Sequence, residues 1–195
     1  PALSRLESLG IPVALFSQKS IDDTLDDIRA VADAVGAARA GAQLVDSLRA
    51  ERARLRSRFG ELPRSKRPVV LILFSAESFL TAGEDTFAGE IIELAGGVNA
   101  GARAEEAWPV LSPETLLFWN PDVILFSRND KAPEARYSAR IEAFLSDSRW
   151  SSIRAVEQQS VYTVPDSLLE IPGPRMMEAA RSVAALLHPG SADDP

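Results

Sequence analysis

The spacing of apolar positions along the chain changes near residue 68. Before that point, residues 37–59 carry apolar side chains at helical spacing along one face. The members of that face are Leu44, Leu48, Leu55 and Phe59. After it, short apolar runs such as residues 69–74 alternate with amphipathic segments, and such a run is typical of a strand covered on both faces. The pattern predicts helices first and then a three-layer α/β fold around a parallel sheet.

Three helices and one short strand are predicted before residue 60. Gly10 suits the position just after the end of the first helix. Residues 12–16 form an apolar run of strand length. Ser20 can cap the N-terminus of the second helix, which should end near Gly36. The third helix, residues 37–59, would span roughly 35 Å at about 1.5 Å per residue.

Three buried strands and five helices are predicted after residue 68. The strands are residues 69–74, 122–126 and 161–164. The helices are residues 86–95, a segment opened by Ser112, and residues 137–145, 150–156 and 174–187. Ser112 is followed by proline and glutamate, which is the order expected for an N-cap, the first helical position and an acidic first turn.

Composition narrows the classes of function. The 195-residue chain has a net charge of −7, which argues against a nucleic-acid partner because such proteins usually present a basic face. It has no cysteine, so disulfides and cysteine-held metal clusters are excluded. The one histidine, His188, lies at the end of the last predicted helix, too far from other candidates for a catalytic triad. We expect no catalytic residue, bound metal or cofactor.

The most specific signal is an ordered series of short motifs. They are TAGEDTF, ELAGGVN, WPVLSPE, WNPDVIL, RWSSIRAV, VYTVPD and PGPR. In this order they resemble the C-terminal lobe of the class III substrate-binding proteins of ABC importers, nearest to the cobalamin-binding branch. The ferric-siderophore and haem binders are similar as well. The resemblance implies a three-layer Rossmann-like C-terminal lobe with a parallel sheet, preceded by a long inter-lobe helix.

The same resemblance implies a division of the chain. Residues 1–36 would be a remnant of the N-terminal lobe, residues 37–60 the inter-lobe backbone helix and residues 66–190 the C-terminal α/β lobe. We expect the first strand–helix units of the N-terminal lobe to be missing from this sequence. The resemblance also implies a periplasmic or extracellular protein, lipid-anchored through a segment that is not in the sequence.

The resemblance places a ligand in the cleft between two lobes, at loops that follow the carboxyl ends of strands. The ligand-binding positions it implies are Phe74, Phe79, Thr81, Trp108 and Asp166. Their aromatic and apolar surface, with few charges, favours a large, partly apolar chelate over a bare ion or a sugar: a corrinoid, haem or ferric siderophore. The alternatives are a core residue for Phe74, a plug over the next helix for Trp108, and a turn residue for Asp166.

The chain departs from the cobalamin branch after Asp166. Ser167, Leu168 and Leu169 stand where that branch usually has aromatic residues. Ile171 replaces a basic residue sometimes seen there. The resemblance therefore leaves the choice among cobalamin, haem and ferric siderophore open.

Glu114 matches a different position of the family, an exposed acid that pairs with arginines of the permease. It follows Ser112 and Pro113 at the start of a predicted helix. The alternative is a carboxylate that is stabilised by the helix N-terminus, and the two roles are compatible.

Two other classes compete with the importer component. One is a cofactor-binding or oxidoreductase subunit on a similar α/β scaffold, although such subunits hold their clusters with cysteines that this chain lacks. The other is a signalling receiver domain, which needs an acidic cluster after an early strand, whereas Ser75 and Ala76 follow Phe74. Fold alone decides between none of these classes.

Self-association is also predicted. The short strand at residues 12–16 and the apolar helix stripe through Leu44, Leu48 and Leu55 would lack the lobe they normally join. The segment before Gly60 should pack back on the C-terminal lobe, pair with another copy or remain mobile. We expect the pairing between copies, because an exposed strand edge and an apolar stripe both favour it.

Overall fold

A four-stranded, fully parallel sheet forms the centre of the computed structural model, with the order β2-β1-β3-β4. The structure describes residues 2–16, 19–74, 78–129, 131 and 133–190, and it describes no side chains for residues 2–4 and 134–136. The strands are β1 (Val69–Leu73), β2 (Val98–Asn99), β3 (Val123–Arg128) and β4 (Val161–Pro165).

Nine α-helices surround or precede the sheet in the described part of the chain. They are α1 (Ala2–Ser8), α2 (Ile21–Ala34), α3 (Ala38–Leu55), α4 (Phe87–Leu94), α5 (Pro113–Trp119), α6 (Glu134–Ser146), α7 (Arg154–Glu157), α8 (Asp166–Leu169) and α9 (Met176–Leu187). A π-helical turn, Arg56–Gly60, continues α3 to the residue at which the long helix is predicted to end.

The residues of β1 point alternately to two covered faces of the sheet. Val70 and Ile72 pack in one apolar cluster with α2, α3, α4, α8 and α9. Leu71 and Leu73 pack in the other with side chains of α5, α6 and α7. All four side chains are fully buried. Burial on both faces explains why the strand is apolar throughout instead of alternating.

Sequence patterns predict three of the four strands and miss β2. That strand is only two residues long, and Val98 and Asn99 pair with Val69 and Val70. Two residues cannot display a period of two, so no pattern marks the strand. The predicted helix over residues 150–156 is also wrong in part. A 3₁₀ turn, Ser148–Trp150, is separated from α7 by Ile153, whose extended backbone carries its side chain into the core.

The predicted strand at residues 12–16 is wrong. These residues pair with no strand of the described sheet, and Leu15 is 76% exposed. A short apolar segment without a neighbouring strand cannot satisfy its backbone groups by pairing, so β-propensity alone does not make it a strand.

The segment before Gly60 packs back on the lobe from residue 20 onward, which was one of the three arrangements considered. Ile21 and Leu25 of α2 lie buried in the same cluster as α4 and α9. The backbone N–H of Ile21 donates to Glu90 Oε2 over 2.6 Å, and Arg181 of α9 pairs with Glu51 of α3 at 2.6 Å. Because exposed ion pairs contribute little, burial holds this packing. Association between copies stays a prediction.

The apolar face of α3 differs from the predicted stripe at one position. Leu48, Leu55 and Phe59 are buried as expected, but Leu44 is 39% exposed and Val45 is fully buried in its place. One residue rotates a helix by about 100°. The contact face of α3 is therefore set by its packing against α2 as well as by the sheet layer.

Three predicted helix ends are confirmed: the start of α2 at Ser20, its end near Gly36, and the end of the first helix before Gly10. The backbone N–H of Asp23 donates to Ser20 Oγ over 3.0 Å, and the backbone N–H of Ser20 donates to Asp23 Oδ2 over 3.1 Å. This reciprocal pair is a capping box. Gly10 and Gly36 both adopt positive φ, 72° and 73°, which glycine tolerates without a steric penalty.

The burial of α2 generates a stability prediction. Replacing Leu25 by alanine should lower the free energy of unfolding by about 2–5 kcal/mol, because the change leaves a cavity in a packed cluster. Urea unfolding, followed by circular dichroism, measures this loss. Val31 is an exposed apolar residue of the same helix, so Val31→Ala is the matched control and should stay within about 0.5 kcal/mol of the wild type. Equal stability of the Leu25→Ala protein and the wild type would show that α2 does not pack on the lobe.

Candidate functional site

All four strands end at the same edge of the sheet, because every pair is parallel. Leu73 of β1 lies opposite Phe126 of β3, and Arg128 lies opposite Pro165 of β4. We call this the carboxyl edge and define it as residues 74, 78–81, 127–129 and 166–170. In open α/β sheets, ligands bind at this edge. Four of the five predicted ligand positions, all except Trp108, lie in these segments.

Phe74 and Trp108 come together at the carboxyl edge. Their ring centroids are 5.5 Å apart and the planes meet at 62°, an edge-to-face pair. Phe74 is half-buried, whereas Trp108 is 53% exposed. The remaining two tryptophans of the chain, Trp119 and Trp150, are buried. The pair therefore presents an aromatic surface to the space beyond the edge.

Two loops that run side by side hold Trp108 in place. The backbone N–H of Thr81 donates to Pro109 O over 3.0 Å, and that of Leu111 donates to Phe79 O over 3.2 Å. The backbone N–H of Gly83 donates to Ala107 O over 2.8 Å. A Cβ atom at position 83 would lie only 2.0 Å from a backbone oxygen of the facing loop, so this close approach requires glycine. We call residues 79–83 and 107–111 the loop pair.

Phe79 does not join the aromatic pair. Its ring lies 5.6 Å from that of Trp150, at 79°, against the core on the α5–α7 side of the sheet. Its backbone is left-handed, with φ of 47°, which is uncommon for a bulky residue. In this conformation the Phe79 side chain packs against the core below its own loop. A role of Phe79 in ligand binding stays a prediction.

Thr81, in the first segment of the loop pair, has a completely buried side chain. Among the described residues, its Oγ1 has no hydrogen-bond partner. Buried hydroxyls nearly always form a hydrogen bond with protein or water, so the Thr81 hydroxyl is an unusual buried polar group close to the carboxyl edge. The structure brings Thr81 next to Pro109 but not into contact with open space.

Asp166 lies directly after β4, as the first residue of α8, and is half-buried. Its backbone oxygen accepts from the N–H of Glu170 over 2.7 Å. Leu168 and Leu169 are buried in the core on the α9 side. This explains why leucines stand where aromatic ligand contacts were expected: the turn after Asp166 serves packing.

Sequence reasoning missed a polar link at the carboxyl edge. Ser127 Oγ donates to Glu170 Oε1, which ties the end of β3 to the end of α8. The available signal was Ser127 itself, a buried polar residue at the end of an otherwise apolar strand. Such a position usually has a specific partner, but the sequence does not identify it.

One cavity at the carboxyl edge is small. It has room for about 10 Å³, roughly one water molecule, and its lining includes Phe74, Ser127, Tyr137 and Arg140. A second, open space of about 250 Å³ lies beside Gly83 of the loop pair and Asn99 at the end of β2.

A further space of about 230 Å³, lined by charged residues such as Arg52, Arg67 and Glu93, lies at the opposite edge of the sheet. The described carboxyl edge thus offers an open surface, as one wall of a cleft would.

Glu114 is exposed in the first turn of α5. Ser112 caps that helix, since its Oγ accepts from the backbone N–H of Thr115 over 3.1 Å. The backbone N–H of Glu114 and then the hydroxyl of Ser112 hydrogen-bond to the Glu114 carboxylate, and these bonds lower the pKa of Glu114 below its usual 4.5. Glu114 is therefore fully charged at neutral pH.

The described residues contain no group of three or more histidine, cysteine or acidic side chains arranged to hold a metal ion. Within the same part of the chain, no helix is long and apolar enough to cross a membrane.

Comparison with known proteins identifies curated relatives. The chain is 26% identical over 190 residues to the uncharacterized ABC transporter substrate-binding lipoprotein YvrC of Bacillus subtilis, and the match covers 96% of this chain and 57% of YvrC. It is 28% identical over 156 residues to the molybdate-binding protein MolA of Haemophilus influenzae, covering 80% and 42% of the two chains. It is 25% identical over 187 residues to the vitamin B12-binding protein of Vibrio cholerae, covering 95% and 63%. The chain thus spans between 42% and 63% of the length of these relatives.

A solved structure shares the arrangement of elements. The periplasmic haem-binding protein RhuT of Roseiflexus, in its apo form, superposes with a TM-score of 0.81 at 27% identity. The match covers 97% of this chain and 71% of RhuT. The four-stranded parallel sheet described above is therefore a lobe of the periplasmic-binding-protein fold.

The family described as periplasmic binding protein matches residues 2–168, most of the chain. Its members are binding proteins and not enzymes, which confirms the expectation from the motifs and disfavours the oxidoreductase and receiver alternatives. The chain belongs to the periplasmic binding protein family, among relatives that serve ABC transporters as substrate-binding components.

Proposed function

We propose that this chain forms the C-terminal wall of a solute-binding component that captures a large, partly apolar chelate and delivers it to an ABC permease. The chelate would be a corrinoid, haem or ferric siderophore. The observation that carries the proposal is the pair of Phe74 and Trp108, which presents aromatic surface at the carboxyl edge. A flat or macrocyclic ligand can stack on such a surface and bury far more area than a small ion.

The relatives support this class of ligand without selecting one member. One binds vitamin B12 by its name, and the superposed structure is a haem-binding protein. MolA binds molybdate by its name, which is a small oxyanion. A small oxyanion needs donors that converge on a space of its own size. The cavity that Tyr137 and Arg140 line at the carboxyl edge holds roughly one water molecule, whereas the exposed indole of Trp108 offers a wide apolar surface. We therefore favour the chelate.

The predicted division of the chain is kept as part of the proposal. Residues 1–36 are a remnant of the N-terminal lobe, residues 37–60 the inter-lobe backbone helix and residues 66–190 the C-terminal α/β lobe. The break at residues 61–68 supports the second boundary, since α3 and its π-helical turn end at Gly60 and β1 begins at Val69. A periplasmic or extracellular location, with a lipid anchor, is supported by the lipoprotein YvrC.

The ligand class is tested by titration of the full-length protein. Cyanocobalamin, haemin, a ferric siderophore, molybdate and free Fe³⁺ are added separately while tryptophan fluorescence is followed. One of the chelates should quench the fluorescence with saturation, because Trp108 is the exposed tryptophan of the described chain. The Trp108→Phe variant should lose most of that quenching and keep part of the affinity.

The matched control is Trp119→Phe, since Trp119 is buried on the α5 side away from the carboxyl edge. Its quenching should match that of the wild type. Saturable quenching by molybdate or free Fe³⁺, with no response to any chelate, would contradict the proposal.

Glu114 is proposed to pair with arginines of the permease. Replacing it by glutamine should leave ligand affinity unchanged and reduce transport, with a loss that shrinks as salt is added, because exposed charges act mainly on encounter. Uptake of the labelled chelate by reconstituted importer measures this. Equal transport by wild type and Glu114→Gln across a range of ionic strengths would remove the docking role.

The stabilising effect of Glu114 on the N-terminus of α5 is distinguished from docking by the pH dependence of protein stability. A lowered folded pKa stabilises the protein above the unfolded pKa, near 4.5, and this contribution is lost as the pH falls through the folded value. Any stability advantage of wild type over Glu114→Gln should therefore be constant at neutral pH and vanish on acidification below 4.5. A transport loss that followed this stability difference would favour the dipole role alone.

A further inference from the structure

Helix α5 presents an apolar pair to solvent beside Glu114. Leu117 and Phe118 lie three and four residues after Glu114, so the three side chains are neighbours on one face of the helix. Phe118 is 86% exposed and Leu117 is 37% exposed. The opposite face of α5 is occupied by Leu116 and Trp119, which are buried in the core. The fold of α5 thus needs neither Leu117 nor Phe118 for its packing.

Phe118 is the most exposed large apolar side chain among the residues that the structure describes. A single exposed leucine is ordinary. An almost fully exposed phenylalanine next to a second exposed apolar residue indicates a surface that another molecule covers. Aromatic side chains are enriched at the centre of such interfaces. Val110, just before the N-cap of α5, is exposed as well.

The two ends of α5 differ in charge. Glu114 lies in the first turn, beside the apolar pair, and is exposed. At the other end, Arg103 Nη1 donates to Trp119 O over 2.8 Å and Arg154 Nη2 donates to Asn120 O over 3.2 Å. The α5 surface is therefore apolar at Leu117 and Phe118 and acidic at its N-terminal end, where Glu114 is complementary to a basic group beside an apolar pocket.

We propose that Glu114, Leu117 and Phe118, together the α5 patch, form one contact with the permease, in which Phe118 enters an apolar pocket beside the arginine that meets Glu114. The inference rests on the proposed function and adds to it an apolar anchor. Glu114 guides the encounter, and burial of Phe118 sets the lifetime of the complex, since truncating a buried anchor acts mostly on the dissociation rate.

A second copy of this chain is the other occupant that the experiment must test. In a two-fold dimer the same patch faces itself, and where the two α5 helices run parallel the Glu114 carboxylates would approach one another. Like charges at close range oppose association, whereas an arginine of the permease neutralises Glu114. Glu114 therefore favours the permease over that dimer.

The patch is separate from the ligand surface. It lies on the helix that covers the α5–α7 side of the sheet, whereas Phe74 and Trp108 meet at the carboxyl edge. Replacing exposed Phe118 by serine leaves the cores intact, so folding and ligand binding should remain as in the wild type. Docking and ligand capture can thus be measured independently on the same variant.

The experiment measures binding of the full-length protein to the permease encoded with it, held in lipid nanodiscs, by surface plasmon resonance at several salt concentrations. The variants are Phe118→Ser, Leu117→Ser and Glu114→Gln. Val35→Ser is the matched control, since Val35 is a comparably exposed apolar residue at the C-terminal end of α2. Circular dichroism and ligand titration confirm that each variant is folded and binds ligand.

We expect Phe118→Ser to weaken permease binding by roughly 10- to 100-fold, mainly through faster dissociation, with an unchanged salt dependence. Leu117→Ser should weaken it less. Glu114→Gln should lower the association rate and flatten the salt dependence, and Val35→Ser should match the wild type.

Three outcomes would overturn the inference. If Phe118→Ser binds as Val35→Ser does while Glu114→Gln is impaired, the permease docks through charge alone and the proposed function stands. If the wild type fails to bind the permease, both the inference and the proposed function fall. If analytical ultracentrifugation shows a dimer of the wild type that Phe118→Ser dissociates, while permease binding is unchanged, the patch serves a second copy instead.

Discussion

Burial of β1 and β3 between two helix layers is the constraint on which the rest of the structure depends. Val70, Leu71, Ile72 and Leu73 are fully buried, and their side chains alternate between two separate apolar clusters. A strand buried on both faces needs helices on both sides, and helices on both sides require crossover connections that make the sheet parallel. Because the sheet is parallel, the segments that follow its strands all begin at the carboxyl edge.

Parallel strands bring their following segments to one edge, and there the chain carries its aromatic pair. The loop pair fixes Trp108 through three backbone hydrogen bonds, so the indole is held out from the sheet without being buried by it. The described carboxyl edge is an open surface, which suits one wall of a cleft. Helix α5 begins three residues after Val110 and carries Glu114 and Phe118 on a different face of the lobe. The surfaces proposed for ligand capture and for docking thus lie on one scaffold but are separate.

The sequence was sufficient to predict the long strands, the capped helices and the family, because each leaves a local pattern. Ser20 and Ser112 both cap helices as their sequence contexts indicate. What it did not reveal depends on tertiary packing. Val45 replaces Leu44 in the core because α2 packs on α3, Phe79 turns to Trp150 through a left-handed backbone, and residues 12–16 stay unpaired without a neighbouring strand. The exposure of Phe118 was equally hidden, since helical spacing alone does not say which apolar face a helix buries.

The central claim is that ligand contacts this lobe at its carboxyl edge. Hydrogen exchange of the full-length protein, measured by mass spectrometry with and without a saturating chelate, tests it directly. The account predicts slower exchange of backbone amides in residues 78–83, 107–111 and 166–170, and no change around Arg52 and Arg67 at the opposite edge. Protection confined to the Arg52 and Arg67 region, with the loop pair unaffected, would contradict the account.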